Sequence, residues 1–309
     1  MDALRLKPVY VKSIWAGDRL QKIRDLEPGI GIAREVCAYR NSENEVLNPE
    51  YAGKNVKDLI DECHEELMGS DPADQLVRAA YIDAVDDLSI QVHPAQKAAE
   101  EKGDYEKSES WYILEADPRA AICAGTLTQD REVLRQAAQD GSLEDHVRMV
   151  PVVPGDFALI PAGMLHACGK NMLAIEIGSF GGITYRLYDY GRGRELHLEE
   201  GFKVLDPSLQ TTVTHHPLPD RRTSNIEPGV DHPLFHVDVI DVNGRMTLPT
   251  NGHYCILVDV GKSGKVIRAG KDYPLGYTET LLIPASQKEF TLEGNFRVLC
   301  GYHPTDSNQ

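Results

Sequence analysis

Four polar side chains stand where the surrounding residues predict buried β-structure. Gln91 and His93 lie two apart in the alternating run LSIQVHP, so both side chains leave the same face of a predicted strand. Glu109 stands just before the apolar run WYIL, and His166 follows a Pro-Ala-Gly turn after the apolar run FALIP. Two imidazoles, one carboxylate and one amide oxygen form a suitable ligand set for Zn²⁺ or another borderline divalent cation.

The residues around His166 favour a site over a simpler interpretation. Taken alone, a histidine is more often a hydrogen-bonded structural residue, and a lone glutamate is more often a surface carboxylate. However, residues 155–166 read GDFALIPAGMLH, which matches the second cupin motif, G-x5-P-x-G-x2-H, without a gap. In that motif the glycine and proline form a tight turn that directs the histidine into the mouth of a barrel. With a single carboxylate, a bound divalent cation keeps net positive charge and can act as a Lewis acid.

The first cupin motif is looser in this chain. It normally keeps its ligands close together, whereas residues 94–108 separate His93 from Glu109. An insertion of this length beside a metal site usually shapes a substrate pocket.

The elements that must position these residues are mainly strands. Short apolar runs between Gly and Pro turns predict a mainly β fold, and we expect tandem cupin (jelly-roll) barrels. Helical decoration is predicted in the N-terminal half, at residues 54–68 and at residues 128–142, where Gly141 ends the helix.

A weak internal similarity suggests how the domains are organised. The segment GDFALIPAGMLHA resembles YTETLLIPASQKEF, which contains no histidine. We therefore expect two barrels related by duplication. Residues 1–206 would form the metal-binding catalytic domain with its helical insertions. Residues 207–309 would form a linker, to about residue 232, and a degenerate cupin-like barrel without metal ligands.

Composition narrows the choice of partner and compartment. The 309-residue chain carries a formal net charge of −16, which argues against nucleic acid or an anionic membrane as a partner. A phosphorylated small molecule stays possible, because a few local cations can outweigh the global charge. There is no apolar run of the roughly 20 residues that a membrane helix needs, and the N-terminus lacks the apolar run of a signal peptide. Six scattered cysteines without a C-x-x-C pair are typical of a reducing compartment, so we expect the protein in the cytoplasm. Its assembly is expected to be a monomer or homodimer.

Four successive segments carry a resemblance to a known family. LSIQVHP, KSESWYIL, PGDFALIPAGMLHA and TYRLYDYGR resemble the signatures of type I phosphomannose isomerase, particularly its short bacterial form. The resemblance runs to about residue 206 and weakens in the tail. It implies an aldose–ketose isomerase that interconverts mannose 6-phosphate and fructose 6-phosphate. It also implies one zinc ion per chain, with Gln91, His93, Glu109 and His166 as ligands.

The resemblance also implies two catalytic residues. Arg186 matches an active-site arginine, whose guanidinium would stabilise the negative charge that builds on the sugar oxygens as an enediol forms. Glu176 matches a carboxylate proposed as the proton-transfer base. The alternatives are a structural salt bridge between Arg186 and Asp189, and a buried structural carboxylate for Glu176.

Substrate-side positions match the family less well. Ala80 stands where the family usually has a lysine, and Arg34 stands where a tryptophan is common. Trp15, Lys107 and Arg78 are the candidate substrate-binding residues. Intact metal ligands with altered substrate contacts leave two alternatives open, an isomerase of another sugar and a non-catalytic sugar-binding cupin protein.

Overall fold

The computed structural model describes residues 1–218 and 223–304, and β-strands dominate in these ranges. Up to residue 218 the strands are β1 Val9–Lys12, β2 Ile30–Val36, β3 Arg78–Ala84, β4 Ile90–Val92, β5 Glu109–Ala116, β6 Ala121–Thr126, β7 Val147–Pro151, β8 Asp156–Ile160, β9 His166–Ala167, β10 Met172–Gly178, β11 Tyr185–Tyr188 and β12 Val213–His215. From residue 223 onward they are β13 Asn225–His232, β14 Phe235–Pro249, β15 Cys255–Asp259, β16 Gly264–Arg268, β17 Lys271–Leu275, β18 Thr280–Ile283 and β19 Glu289–Tyr302. The predicted mainly β fold is confirmed, and the tandem-barrel arrangement stays a prediction.

Of the described α-helices, all but the last lie in the N-terminal half, as expected. In chain order they are α1 Arg19–Arg24, α2 Val56–Leu67, α3 Gln96–Glu100, α4 Arg131–Asp140 and α5 Leu198–Val204. The two helices predicted from periodicity, α2 and α4, are confirmed. A capping box between Asn55 and Asp58 begins α2, and Gly141 ends α4 with a left-handed φ of 85°. Within the described ranges, no helix has the length and apolar character needed to cross a membrane.

The chain divides into two compact units. The central unit consists of Tyr10–Ala33 and Tyr81–His215, and the terminal unit consists of Met1–Val9, Arg34–Ala80 and the described residues from His216 onward. The domain boundary expected near residue 206 stays a prediction.

Two sheets hold most of the strand residues of the central unit. A seven-stranded sheet has the order β1-β2-β3-β10-β5-β8-β12, and a five-stranded sheet has the order β11-β4-β9-β6-β7. One apolar cluster contains Trp111 and Ile160 from the first sheet together with Ile122 and Ala124 from the second. The two sheets therefore pack face to face, and the site described below takes residues from both.

The terminal unit is built on one large sheet with the order β13-β14-β19-β15-β18, to which β16 and β17 add. The long strands β14 and β19 pair antiparallel from His236↔Tyr302 to Pro249↔Glu289. Strand β18 ends just before Pro284, within the segment YTETLLIPASQKEF that resembles GDFALIPAGMLHA. A duplication relating the two β regions stays a prediction.

The expected linker at about residues 206–232 is wrong in part. It contains β12, which pairs with β8, and β13, which pairs with β14, while residues 219–222 lie outside the described residues. Most side chains of β13 are exposed. Backbone pairing to β14, more than side-chain burial, therefore stabilises this strand, and no alternation of apolar and polar residues marks it in the sequence.

Candidate metal centre

Three side chains of the central unit converge in its interior. His93, Glu109 and His166 each offer one ligand atom, and these atoms lie within 4.8 Å of one another. His93 Nε2 is 3.1 Å from Glu109 Oε1, and His166 Nε2 is 3.8 Å from Glu109 Oε2. All three residues are buried. Two imidazole nitrogens and a carboxylate at this separation form a donor set for one divalent cation.

Both sheets contribute to this cluster. Gln91 on β4 pairs with His166 on β9, while Glu109 is the first residue of β5 in the facing sheet. The turn between β8 and β9 sets the position of His166. Gly163 has a φ of 89° in this turn, and its N–H donates to the His93 carbonyl at 2.8 Å. The motif glycine therefore allows the turn to form and also joins it to the segment that carries the other imidazole.

Backbone carbonyls orient the two imidazole rings. His93 Nδ1 lies 2.8 Å from the Ile183 carbonyl oxygen, and His166 Nδ1 lies 2.8 Å from the Met164 carbonyl oxygen. Because a carbonyl only accepts, each ring donates from Nδ1–H, which leaves the Nε2 lone pair on the side of Glu109. This arrangement of supporting hydrogen bonds is typical of histidines that bind a metal.

Burial and mutual charge set the protonation states in the cluster. Burial, followed by the nearby His93, lowers the pKa of His166 to about 3. Burial and the Lys107 ammonium likewise lower the pKa of His93. Burial alone would raise the pKa of Glu109, but the Lys107 ammonium holds that pKa well below its usual range. At neutral pH the cluster therefore presents two neutral imidazoles and one carboxylate, which are the forms that ligate a metal.

Lys107 is the cation beside this cluster. Its Nζ lies 3.1 Å from His93 Nε2 and forms an ion pair with Glu109. Glu109 Oε1 is buried and, although close to both groups, has no hydrogen bond of acceptable geometry with any described residue. Lys107 supplies positive charge to this buried carboxylate oxygen, and a divalent cation between the two imidazoles would supply it as well. The residues present therefore fit a divalent metal ion.

Gln91 stands at the edge of the cluster. Its Nε2 is 3.5 Å from His166 Nε2, and an amide nitrogen is not a metal ligand. Rotation of the amide by 180° brings Oε1 to the same place, and this oxygen is the atom that binds a metal.

Two further predicted site residues lie on the same sheet faces as Gln91 and Glu109. Arg186 on β11 pairs with Gln91, and Glu176 on β10 pairs with Trp111 two residues beyond Glu109. Residues directly opposite each other in an antiparallel pair project to the same side of a sheet. The guanidinium of Arg186 donates from Nη1 to the Glu195 carbonyl at 2.8 Å, while its buried Nε has no hydrogen-bond partner among the described residues.

Comparison with known proteins decides the family. No protein-family model matches the chain. It is 32% identical over 307 residues to mannose-6-phosphate isomerase ManA of Bacillus subtilis (strain 168), which covers 95% of this chain and 96% of that protein. The chain belongs to the mannose-6-phosphate isomerase family. It is also 29% identical over 318 residues to mannose-6-phosphate isomerase of Streptococcus mutans, covering 97% of this chain and 98% of the relative.

Solved structures of mannose-6-phosphate isomerases agree with this assignment. The crystal structure of the Bacillus subtilis enzyme superposes with a TM-score of 0.89 at 27% identity, covering 97% of this chain and 99% of that one. A variant of phosphomannose isomerase from Salmonella typhimurium has a TM-score of 0.79 at 12% identity, which shows the shared fold. The resemblance to type I phosphomannose isomerase is confirmed, and the similarity also extends through the tail.

Two of the predicted substrate-binding residues have other described neighbours. Trp15 is 5% exposed and packs in the apolar core of the central unit with Trp111. Arg78 belongs to the terminal unit, where its guanidinium lies 5.4 Å from the centre of the Tyr39 ring. Of the three candidates, Lys107 lies against His93 and Glu109. No comparison tests the roles of these residues in mannose-6-phosphate isomerase chemistry, so their roles stay predictions.

Sequence reasoning missed the groups that hold the site residues in place. The carbonyls of Ile183 and Met164 are backbone atoms, so no residue type reports them. His197 is a further example. Its Nδ1 accepts from the Arg186 backbone N–H at 3.2 Å, and its backbone N–H donates to the Arg186 carbonyl. A histidine shortly after the TYRLYDYGR segment was the only available signal, and by itself it does not indicate contact with Arg186.

Proposed function

We propose that this chain is a metal-dependent aldose–ketose isomerase that interconverts mannose 6-phosphate and fructose 6-phosphate. The observation that carries the proposal is the buried cluster of His93, Glu109 and His166 in a chain of the mannose-6-phosphate isomerase family. The buried carboxylate oxygen of Glu109 supports the presence of a cation.

The proposed metal is zinc, one ion per chain. Gln91, His93, Glu109 and His166 would hold it, and nitrogen and oxygen ligands of this kind suit zinc. When bound, the metal supplies a Lewis acid that withdraws electron density from the sugar oxygens. Only Glu109 is anionic among the four, so the loaded site keeps a net positive charge.

Proton transfer between C1 and C2 needs a base and a group that stabilises negative charge on the oxygens. We assign the base to Glu176, whose face on β10 is that of Trp111 and Glu109. Arg186 shares the face of Gln91 and has an Nε–H free of described partners. Its guanidinium would donate to O1 or O2 as the enediol forms, where the charge is greatest.

Substrate binding is assigned to Lys107, Trp15 and Arg78. Lys107 has the strongest support, because its ammonium lies against His93 and Glu109 and can reach a sugar oxygen beside them. Trp15 supports the core next to the site. Arg78 offers a cation for the phosphate, since Ala80 cannot provide one.

The deciding experiment is isomerisation in D₂O. Metal-assayed protein is incubated with fructose 6-phosphate, with free fructose run in parallel, and the sugars are followed by NMR. We expect mannose 6-phosphate with deuterium at C2, formed only in the absence of a chelator. Turnover of free fructose alone would indicate an isomerase of another sugar. Stoichiometric zinc with sugar binding but no exchange at C2 would contradict the proposal and favour a sugar-binding cupin protein.

The remaining proposals concern the state of the protein in the cell. We place the protein in the cytoplasm, acting as a monomer or homodimer on a small sugar phosphate. Light scattering on the metal-loaded protein measures the oligomeric state directly, and a trimer or larger assembly would contradict this proposal.

A further inference from the structure

The terminal unit contains a cavity of about 290 Å³ whose lining residues all belong to that unit. One face of the large sheet forms part of its wall. Asp238 and Ile240 lie two apart on β14, and Cys300 and Tyr302 lie two apart on the paired strand β19. The volume is close to the lower limit of about 300 Å³ for small-molecule sites. The cavity therefore has room for one small ligand.

A carboxyl group is held inside this cavity. The Tyr302 hydroxyl lies 3.1 Å from Asp238 Oδ2 and donates to it. Burial raises the pKa of Asp238. A half-buried carboxylate with a neutral donor on one oxygen is stabilised by any further hydroxyl that donates to it.

An oriented imidazole also lines the cavity. His253 Nδ1 lies 2.8 Å from Oδ1 of Asp71, a carboxylate that is only 3% exposed. In the neutral imidazole, donation from Nδ1–H to this carboxylate leaves His253 Nε2 as an acceptor. The cavity thus contains two acceptors, Asp238 and His253, each held by a hydrogen bond to another side chain.

Charge and wall composition indicate what kind of molecule fits. Ile240, Leu248 and Phe290 supply apolar wall, and none of the described lining residues is Lys or Arg. A phosphate would meet the carboxylate of Asp238 with no lining cation to compensate for it. Hydroxyl groups both donate and accept, and so they match the acceptors and the Tyr302 hydroxyl together. Carbon-bound hydrogens of the same molecule can pack on the apolar wall.

We propose that this cavity is a second small-molecule site, which binds a neutral polyhydroxylated compound, an unphosphorylated sugar or sugar alcohol. The site is separate in its residues from the metal centre, and the proposal does not depend on the isomerase activity. Asp238 and His253 accept from ligand hydroxyls, Tyr302 holds Asp238, and Ile226 lies at the exposed rim of the cavity.

Titration of the metal-loaded, full-length protein with mannitol tests this proposal. Mannitol has no carbonyl group, so it cannot undergo the isomerase reaction. Calorimetry should give saturable 1:1 binding that persists when fructose 6-phosphate is in excess. Two variants should weaken it at least about tenfold, Asp238→Ala by removing an acceptor and Ile226→Trp by filling the rim. Asp272→Ala, an exposed carboxylate of the same unit, is the matched control and should bind as the wild type does.

Each outcome of the titration either supports or overturns the proposed second site. Ile226 is 45% exposed, so the tryptophan variant should fold even if Asp238→Ala does not. Absence of saturable mannitol binding to the wild type overturns the proposal. So does binding that fructose 6-phosphate displaces and that Ile226→Trp leaves unchanged, because that result places mannitol in the catalytic site. Binding of an amine such as putrescine in place of mannitol would also overturn it, since Asp238 would then be recognising a cation.

Discussion

Glu109 carries the negative charge of the cluster with His93 and His166, and its surroundings favour a bound cation. Two neutral imidazoles face the carboxylate, and one of its buried oxygens has no hydrogen bond among the described residues. Lys107 supplies positive charge from the side. A metal ion bound between His93, Glu109 and His166 would supply that charge in a fixed direction, which a flexible ammonium cannot.

Replacement of this carboxylate should abolish tight metal binding. Glu109→Gln removes the charge and keeps the shape, and we expect zinc affinity to fall by at least about 100-fold, since changes in supporting residues alone cost 10–100-fold. Competition with a fluorescent chelator measures the affinity. Glu115→Gln, on the same strand but 41% exposed at its side chain, is the control and should bind zinc normally. Equal affinity in both variants would remove Glu109 from the ligand set.

Asp259 should make the stability of the protein depend on pH. Burial raises its pKa to about 8, whereas an unfolded aspartate titrates near pH 3.9. The folded protein therefore holds this proton more tightly than the unfolded chain does. The stabilisation that proton binding at Asp259 provides is fully present below about pH 4 and is lost as the pH rises toward 8. Asp259→Asn mimics the protonated form. The difference in unfolding free energy between Asp259→Asn and the wild type should therefore increase in favour of the variant by about 1.4 kcal/mol per pH unit between pH 5 and 7.

Denaturant unfolding at several pH values measures this difference. Asp231→Asn, which is 82% exposed at its side chain, serves as the control and should follow the wild-type curve. A constant difference between Asp259→Asn and the wild type from pH 5 to pH 8 would show that Asp259 is ionised throughout.

At the scale of elements, the β8–β9 turn and the β11-β4-β9 pairing place the functional residues. The strands are short, and β9 contains only His166 and Ala167. Their intrinsic preference for β-structure is therefore weak, and the paired neighbours determine where their side chains lie. Arg186, Gln91 and His166 consequently form one row across three strands.

The glycine of this turn should matter for the metal as well as for the fold. Gly163→Ala puts a side chain at a φ of 89°, which costs about 1–2 kcal/mol, and its Cβ would lie 3.4 Å from Leu209 Cδ1. We expect both lower stability and weaker zinc binding, because the turn directs His166. Gly29→Ala is a matched control, with a φ of 88° and open space around the new Cβ. It should lose similar stability and keep its zinc affinity; a parallel loss of affinity would assign the effect to general destabilisation.

At the scale of the whole molecule, the proposed metal would join the two sheets of the central unit. His166 belongs to the five-stranded sheet, His93 follows β4 of that sheet, and Glu109 belongs to the seven-stranded sheet. A ligand that binds only the folded state stabilises it by mass action. The metal should therefore act on stability as well as on catalysis.

Removal of the metal should lower the thermal stability. With free zinc at 100 times its dissociation constant, the stabilisation is about 2.7 kcal/mol, which corresponds to several degrees in the melting temperature. Differential scanning calorimetry with and without a chelator measures the shift, and added zinc should restore it. The Glu109→Gln variant should respond to neither treatment. A chelator-sensitive melting temperature in that variant would show that the metal binds elsewhere.

The local sequence is sufficient to predict many of the strands and helices of this protein and part of its candidate site. The period-two runs identify most strands, apolar spacing and Gly141 identify α2 and α4, and a gapless motif identifies His166 and its turn. These features rest on interactions within a few residues, which the order of residue types records directly. The family could be named for the same reason, because its signatures are short and contiguous.

Other features depend on residues far apart in the chain. The orientation of His93 by the Ile183 carbonyl and the packing of Trp15 in the core arise only when distant strands pair and pack. Strand β13 exists because β14 supplies backbone partners, and the cavity around Asp238 exists because its walls come from several strands. Backbone carbonyls, pairing partners and enclosed volume have no residue type of their own, so they emerge only when the chain has folded and brought these groups together.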